Sequence, residues 1–141
     1  MYQVASDAEG AFEFINRFCK IYRSEWQKGI VQLKDGEIIA AVLYQDCNSS
    51  NVFVHVAGVP GKRWATKQFL LETMYYPFIT LGCQRMTGWV EVDNMAARRF
   101  DEHLGFKQEA ILRGAGQYGQ DVIIYAMHRE DCRHIRRFIT S

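Results

Sequence analysis

The sequence predicts an α+β fold, an α/β sandwich built around one mixed sheet. Three observations carry that expectation. Period-2 alternation recurs along the chain, as in Met86–Val92, where Met86, Gly88, Val90 and Val92 alternate with Thr87, Trp89 and Glu91. Between such stretches, apolar residues repeat every three or four positions, which marks amphipathic helices. The resulting order is strand, helix, three strands, helix, strand, helix, two strands, and interleaved helices and strands of this kind pack as layers on a shared sheet.

Tyr2–Val4 is read as a short first strand. Ser6-Asp7 caps a helix in which Ala8, Ala11, Phe12, Ile15, Phe18, Cys19 and Tyr22 recur at helical spacing, and Gly29 ends the helical region. Ile30–Lys34 and Glu37–Tyr44 are strands joined through Asp35-Gly36, a strong two-residue hairpin signal. After the polar loop Cys47–Asn51 comes a fourth strand, Val52–Val59. It places Val52, Val54 and Val56 on one face and Phe53, His55 and Ala57 on the other. Gly58-Val59-Pro60-Gly61 breaks that strand; a long helix starts near Arg63 and ends or kinks at Pro77.

The stretch from Arg85 to Phe106 is the most informative. After the alternating strand, Asp93-Asn94 offers two capping side chains in succession, and a short helix follows with Phe100 and Leu104 on one face. Gly105 stops it, because glycine enters the left-handed region without a Cβ clash. Lys107–Arg113 and Val122–Met127 are the last strands, joined by a glycine-rich connection, and 129–141 forms a short basic tail read as a surface helix.

At 141 residues the chain is read as a single domain, 1–141, long enough for a sizeable core. A formal net charge of +1 gives no global electrostatic case for nucleic acid or a membrane surface as a partner. Cys19, Cys47, Cys83 and Cys132 contain no Cys-x-x-Cys pair, the usage of reduced, mostly buried thiols in a cytoplasm. The opening MYQVASDAEG lacks the basic start and apolar core of an export signal, and no apolar run is long enough to span a membrane. His128, Cys132 and His134 lack a fourth ligand and zinc-like spacing, so no metal is expected.

The element order, with an Asn-x-x-Ala helix running into Leu-Gly-Phe, resembles the GNAT superfamily of acetyl-coenzyme A-dependent N-acetyltransferases. Val92, Asp93, Asn94, Ala97, Leu104, Gly105 and Phe106 carry the likeness, together with the hairpin at Asp35-Gly36, the break at 58–63 and the ending Asp121–Met127. It covers about residues 8 to 128. Arg85–Gly88, Trp64–Thr66 and Arg129–Arg133 look more like small GNAT-type proteins encoded by bacteriophages.

The resemblance implies a mostly antiparallel sheet of about six to seven strands with helices on both faces. Its central fourth and fifth strands would be parallel and splayed, admitting the pantetheine arm of acetyl-coenzyme A. It also implies direct transfer of the acetyl group to a primary amine on a small molecule or protein. The expected setting is the cytoplasm of a bacterium or phage-infected host cell, and many relatives pair as homodimers. The coenzyme contacts it implies are Ala57 and Val59 on the strand exit, then Gly61, Lys62, Arg63, Trp64, Ala65, Thr66 and Lys67 around the pyrophosphate, and Asn94, Ala97 and Arg98 on the next helix.

Two departures from the family pattern stand out. The pyrophosphate loop of the family is Gln/Arg-x-x-Gly-x-Gly/Ala, and here Trp64 and Thr66 occupy its glycine positions, with Lys62, Arg63 and Lys67 as compensating cations. The tyrosine that protonates the leaving thiolate in many members is replaced by Asp101, a poor donor unless buried. Those departures leave open a catalytically degenerate alternative, a GNAT-fold binding or virion-associated protein.

Amine acetylation calls for a base titrating near neutrality. His55, inward on the fourth strand, is the first candidate, and a core histidine is the plainer alternative. Glu91 on the fifth strand is the second, acting through a water, or else an exposed strand carboxylate. Tyr118 and Tyr125 are candidate acids if the fold brings them close to the thioester.

Overall fold

The computed structural model describes residues 1–139. Seven strands form one sheet in the order β1-β2-β3-β4-β5-β7-β6. They are β1 (Tyr2–Ser6), β2 (Gln27–Lys34), β3 (Glu37–Gln45), β4 (Asn51–Gly58), β5 (Arg85–Glu91), β6 (Lys107–Leu112) and β7 (Val122–His128). The helices are α1 (Ala8–Asn16), α2 (Lys67–Tyr75), α3 (Met95–Leu104) and a final turn, α4 (Arg136–Ile139). Every strand pair is antiparallel except β4 with β5. That parallel pair sits mid-sheet, and its crossover contains α2.

The two faces of the sheet carry separate cores, and strand alternation sorts residues between them. Ala11, Phe12, Phe14 and Ile15 of α1 pack on Val31, Ala41 and Leu43. On the opposite face, Phe69 and Met74 of α2 and Leu104 of α3 pack on Val42, Tyr44, Val52, Val54, Met86, Val90, Ile123 and Tyr125. The Tyr44 hydroxyl donates to the Thr73 carbonyl at 2.5 Å, tying α2 to the sheet. The predicted mixed sheet with helices on both faces is what forms.

Local signals fix the turns. Asp35 and Gly36 have φ of 52° and 85°, the positive pair that a type I′ hairpin turn requires. Asp7 caps α1 by accepting the Gly10 amide at 2.8 Å, and Gly105, at φ 113°, ends α3. Pro77 falls in a π-helical turn, Tyr76–Thr80, that continues from α2.

Three expected boundaries move. The first helix stops at Asn16 instead of running through Tyr22, since the Asn16 side chain takes the Ile21 amide at 3.0 Å and turns the chain aside. Phe18 and Tyr22 are exposed as a result. Gly29 lies inside β2 rather than ending a helix: a Cβ there would sit 2.7 Å from Ala11 Cβ, so glycine permits α1 to press onto the strand. The second helix begins at Lys67, not near Arg63, because Thr66 caps it through the Phe69 amide at 3.2 Å.

The tail is also more than a surface helix. Its segment 129–139 consists of two 3-10 turns and α4, with Cys132 and Ile135 fully buried. Arg133 reaches back to the carbonyls of His103 and Leu104 at 2.7 and 3.1 Å, which satisfies the C-terminal end of α3.

Candidate active site

The site begins where the parallel ladder ends. β4 and β5 pair from Asn51–Arg85 to Val54–Gly88 and no further. Beyond that rung β4 stays paired to β3 as far as Gly58, and β5 to β7 as far as Glu91. Their facing backbone edges therefore part in a wedge, and main-chain donors and acceptors along it are available to an extended amide ligand.

On the α1 side the wedge opens into a cavity of about 620 Å³ lined by Phe53, His55, Thr87, Trp89 and Glu91. The segment 19–24 that trails α1, Gln45 and Asp46 at the end of β3, and Ala115 and Gln117 of the β6–β7 loop complete its walls. An adjoining cavity of about 570 Å³ shares Glu91 and reaches Asp93, Asn94 and Tyr118. Helical spacing through Tyr22 gives no sign that segment 19–24 walls a cavity.

His55 and Glu91 both face this cavity, as β-strand alternation places them. The Gln45 amide is oriented by donating from Nε2 to the Tyr22 carbonyl at 2.8 Å and to Gln27 Oε1 at 3.0 Å. Its Oε1 is thereby left to accept from His55 Nε2 at 3.0 Å, which puts the imidazole proton on Nε2 and the lone pair on Nδ1. Burial lowers the His55 pKa to about 4, partly offset by Asp46, so the ring is neutral at physiological pH and a weak base. Two other charges at the cavity are engaged: Ser24 donates to Asp46, and Arg23 holds Glu9 in a two-pronged ion pair at 2.6 Å.

On the other side of the sheet lies the loop 59–66. Gly61 adopts φ 78° with open space around it, and Lys62, Arg63 and Lys67 are exposed. Trp64 turns inward. Its indole packs at a tilt of 47° against Phe100 of α3 with centroids 4.7 Å apart, meets Phe69 edge-on at 6.1 Å, and lies directly over Gly58. Gln32, fully buried on β2, fixes the loop by donating from Nε2 to the Trp64 carbonyl at 3.1 Å and to Thr66 Oγ1 at 2.7 Å. The one sign of Gln32 in the sequence is a glutamine sharing the inward parity of Ile30.

Asn94 caps α3 by accepting the Ala97 amide at 3.2 Å, and its side chain borders the second cavity. Arg98 Nη1 donates to the Val92 carbonyl at 2.8 Å, while its Nε is buried without a partner. Ala97 packs against the core and Ala57 against the α1 side. Val59 donates its amide to the Ile39 carbonyl at 2.9 Å, extending the pairing of β4 with β3 by one residue. Tyr125, by contrast, lies on β7 with β5 between it and the wedge, and its hydroxyl donates to Glu102 Oε2 at 2.6 Å.

No protein-family model matches the sequence, and no curated protein matches it. Solved structures do match. Spermidine/spermine N-acetyltransferase SpeG from Vibrio cholerae, in complex with manganese ions, superposes with a TM-score of 0.74 at 16% identity over 96% of both chains. A point mutant of the same enzyme gives 0.75 at 18% identity, covering 97% of this chain and 98% of that one. A dodecameric form of that enzyme gives 0.70 at 18% identity, over 92% and 94%. The chain has the GNAT fold. At these identities the likeness is one of architecture, and it aligns nearly the full length of both chains. Among the described residues no helix is long and apolar enough to cross a membrane, and no group of three or more His, Cys, Asp or Glu side chains could hold a metal ion.

Proposed function

We propose that the protein is a single-domain N-acetyltransferase that moves the acetyl group of acetyl-coenzyme A directly to a primary amine. The observation that carries this reading is the wedge beyond Val54–Gly88 with a cavity on its α1 side. The fold shared with polyamine acetyltransferases supports it. In this reading the pantetheine arm pairs with the free edge of β4 from Ala57 to Val59. Gly61, Lys62, Arg63, Trp64, Ala65, Thr66 and Lys67 surround the pyrophosphate, and Asn94, Ala97 and Arg98 flank it from α3. The unpartnered Arg98 Nε fits an anionic neighbour.

Catalysis then comes mainly from orientation of thioester and amine, with β4 amides polarising the carbonyl. Glu91, at the junction of the two cavities, is the better-placed base, and neutral His55 is an acceptor through Nδ1. In this reading Tyr125 is assigned no catalytic role, since its hydroxyl donates to Glu102. The enzyme would work in a bacterial or phage-infected cytoplasm, as a homodimer or larger assembly.

The rival reading, a GNAT-fold binding or virion-associated protein, draws on the Trp64 indole packed at Gly58. Calorimetry with acetyl-coenzyme A decides between them: binding in the micromolar range supports the enzyme, and no heat at millimolar ligand overturns it. Spermidine is the first acceptor to assay for thiol release, given the structural neighbours. His55→Ala should lower turnover at saturating acetyl-coenzyme A by less than ~10-fold, since a base of such low pKa contributes little near neutral pH. A collapse of turnover would restore His55 as the principal base.

A further inference from the structure

Breaking a thioester with an amine expels a thiolate, and a proton donor at the sulfur accelerates that step. Resting on the acetyltransferase reading, the geometry of the α3 side of the wedge identifies a donor. Among the buried residues described, Asp101 is the one with a charge-bearing side chain, 8% exposed. Its Oδ2 lies 3.5 Å from the point where a side chain on Gly88 would begin. Gly88 belongs to the last rung of the β4–β5 ladder, so the carboxyl faces bare backbone at the apex of the wedge. The neighbouring Tyr125 hydroxyl is occupied elsewhere, on Glu102 at 2.6 Å.

We propose that Asp101 is the general acid of the transfer, delivering its carboxyl proton to the sulfur of the departing coenzyme A. As the amine nitrogen bonds to the acetyl carbon, the carbon–sulfur bond breaks and its electron pair goes to sulfur. The Asp101 O–H proton joins that sulfur, the surplus proton on nitrogen leaves to solvent through the acceptor cavity, and the carboxylate regains a proton from solvent. Burial raises the Asp101 pKa to about 7, with the Glu102 charge adding to it, so the acid form is well populated near neutral pH. Of the titratable or charged groups nearby, the Glu102 charge on α3 acts on it, and Tyr125 on β7 lies beside it over Gly88. Burial thus meets the condition under which an aspartate can donate a proton at this position.

The test uses Asp101→Asn, which keeps shape and removes the proton. Hydroxylamine serves as the acceptor, being small enough for any amine site, with thiol release as the readout and calorimetry for coenzyme binding. Asp101→Asn is expected to bind acetyl-coenzyme A as the parent does, and to release thiol ~100-fold more slowly. The alkaline fall in parental turnover centred near pH 7 should be absent in the variant. In the ligand-free protein, the infrared band of a protonated carboxyl should be present at about pH 6, fade by about pH 8, and be missing in Asp101→Asn. Equal turnover of parent and variant, or a carboxyl already ionised at about pH 6, overturns the assignment while leaving the acetyltransferase reading intact. Absence of coenzyme binding, or no acceleration by the parent, overturns both.

Discussion

Gly58→Ala tests whether the Trp64 indole is a fixed part of the loop 59–66. An added methyl would lie 2.0 Å from Trp64 Cε2, 2.2 Å from Nε1 and 2.4 Å from Cζ2. Carbon contacts settle near ~3.5–4 Å, so the ring would have to retreat by roughly 1.5 Å. It has little room, with Phe100 at 4.7 Å, Phe69 at 6.1 Å and its own carbonyl held by Gln32 at 3.1 Å. Overpacking of this kind costs about 1–3 kcal/mol, and for a domain of this size each kcal/mol lowers Tm by roughly 3–5 °C. Gly58 is not among the glycines with positive φ, so alanine suits the backbone there. Without the clash the substitution would stabilise by about 0.4–1 kcal/mol through the unfolded chain. The sign of the change therefore decides the matter. Urea unfolding of Gly58→Ala, Trp64→Ala and the double variant gives the coupling, which should equal most of the Gly58→Ala penalty. A Gly58→Ala protein as stable as the parent, or a penalty undiminished when Trp64 is alanine, would refute the packing argument.

Two further outcomes follow from buried titratable groups and from a cap. The Asp101 carboxyl has a folded pKa near 7 against 3.8 unfolded, so the folded state holds the extra proton and loses stability as pH rises through that window. Asp101→Asn should then be more stable than the parent at pH 8 by roughly 4 kcal/mol, with the gain gone at about pH 4, as measured by urea midpoints. His55 acts oppositely: with its pKa lowered from 6.5 to about 4 the unfolded state binds the extra proton, so this contribution is full above pH 6.5 and is lost on acidification toward pH 4. The parent's stability should consequently vary little between pH 4 and 7, whereas Asp101→Asn should gain stability steadily with pH across it. Asn94→Ala removes the side-chain acceptor at the start of α3 and should cost about 1 kcal/mol in urea unfolding. Asn94→Asp keeps a capping oxygen and should recover most of that loss; any deficit it retains in acetyl-coenzyme A affinity measures the contact of the asparagine with the ligand.

Features legible in the sequence were those set by neighbours a few positions away. Asp35-Gly36 demanded a tight hairpin, Asn94 and Gly105 bracketed α3, and alternation sorted Met86, Gly88 and Val90 from Thr87, Trp89 and Glu91. Local rules misled where a longer contact intervened. The apolar spacing through Tyr22 looked helical, yet the Asn16 side chain diverted the chain, and the exposed segment became a cavity wall instead. Gly29 looked like a helix stop because sequence cannot register that Ala11 would occupy the place of its Cβ.

The same division runs through the site. Element order, strand faces and the departures at Trp64, Thr66 and Asp101 are legible from residue type and spacing. Long-range packing sets where the parallel ladder stops, folds Trp64 onto Gly58 under the hold of Gln32, and lets Gln45 orient His55. It also buried Asp101 and so converted a surface-type carboxylate into a group that titrates near neutrality. Such properties arise from desolvation and contact among residues tens of positions apart, and through-space effects of that kind leave no period or motif in the chain.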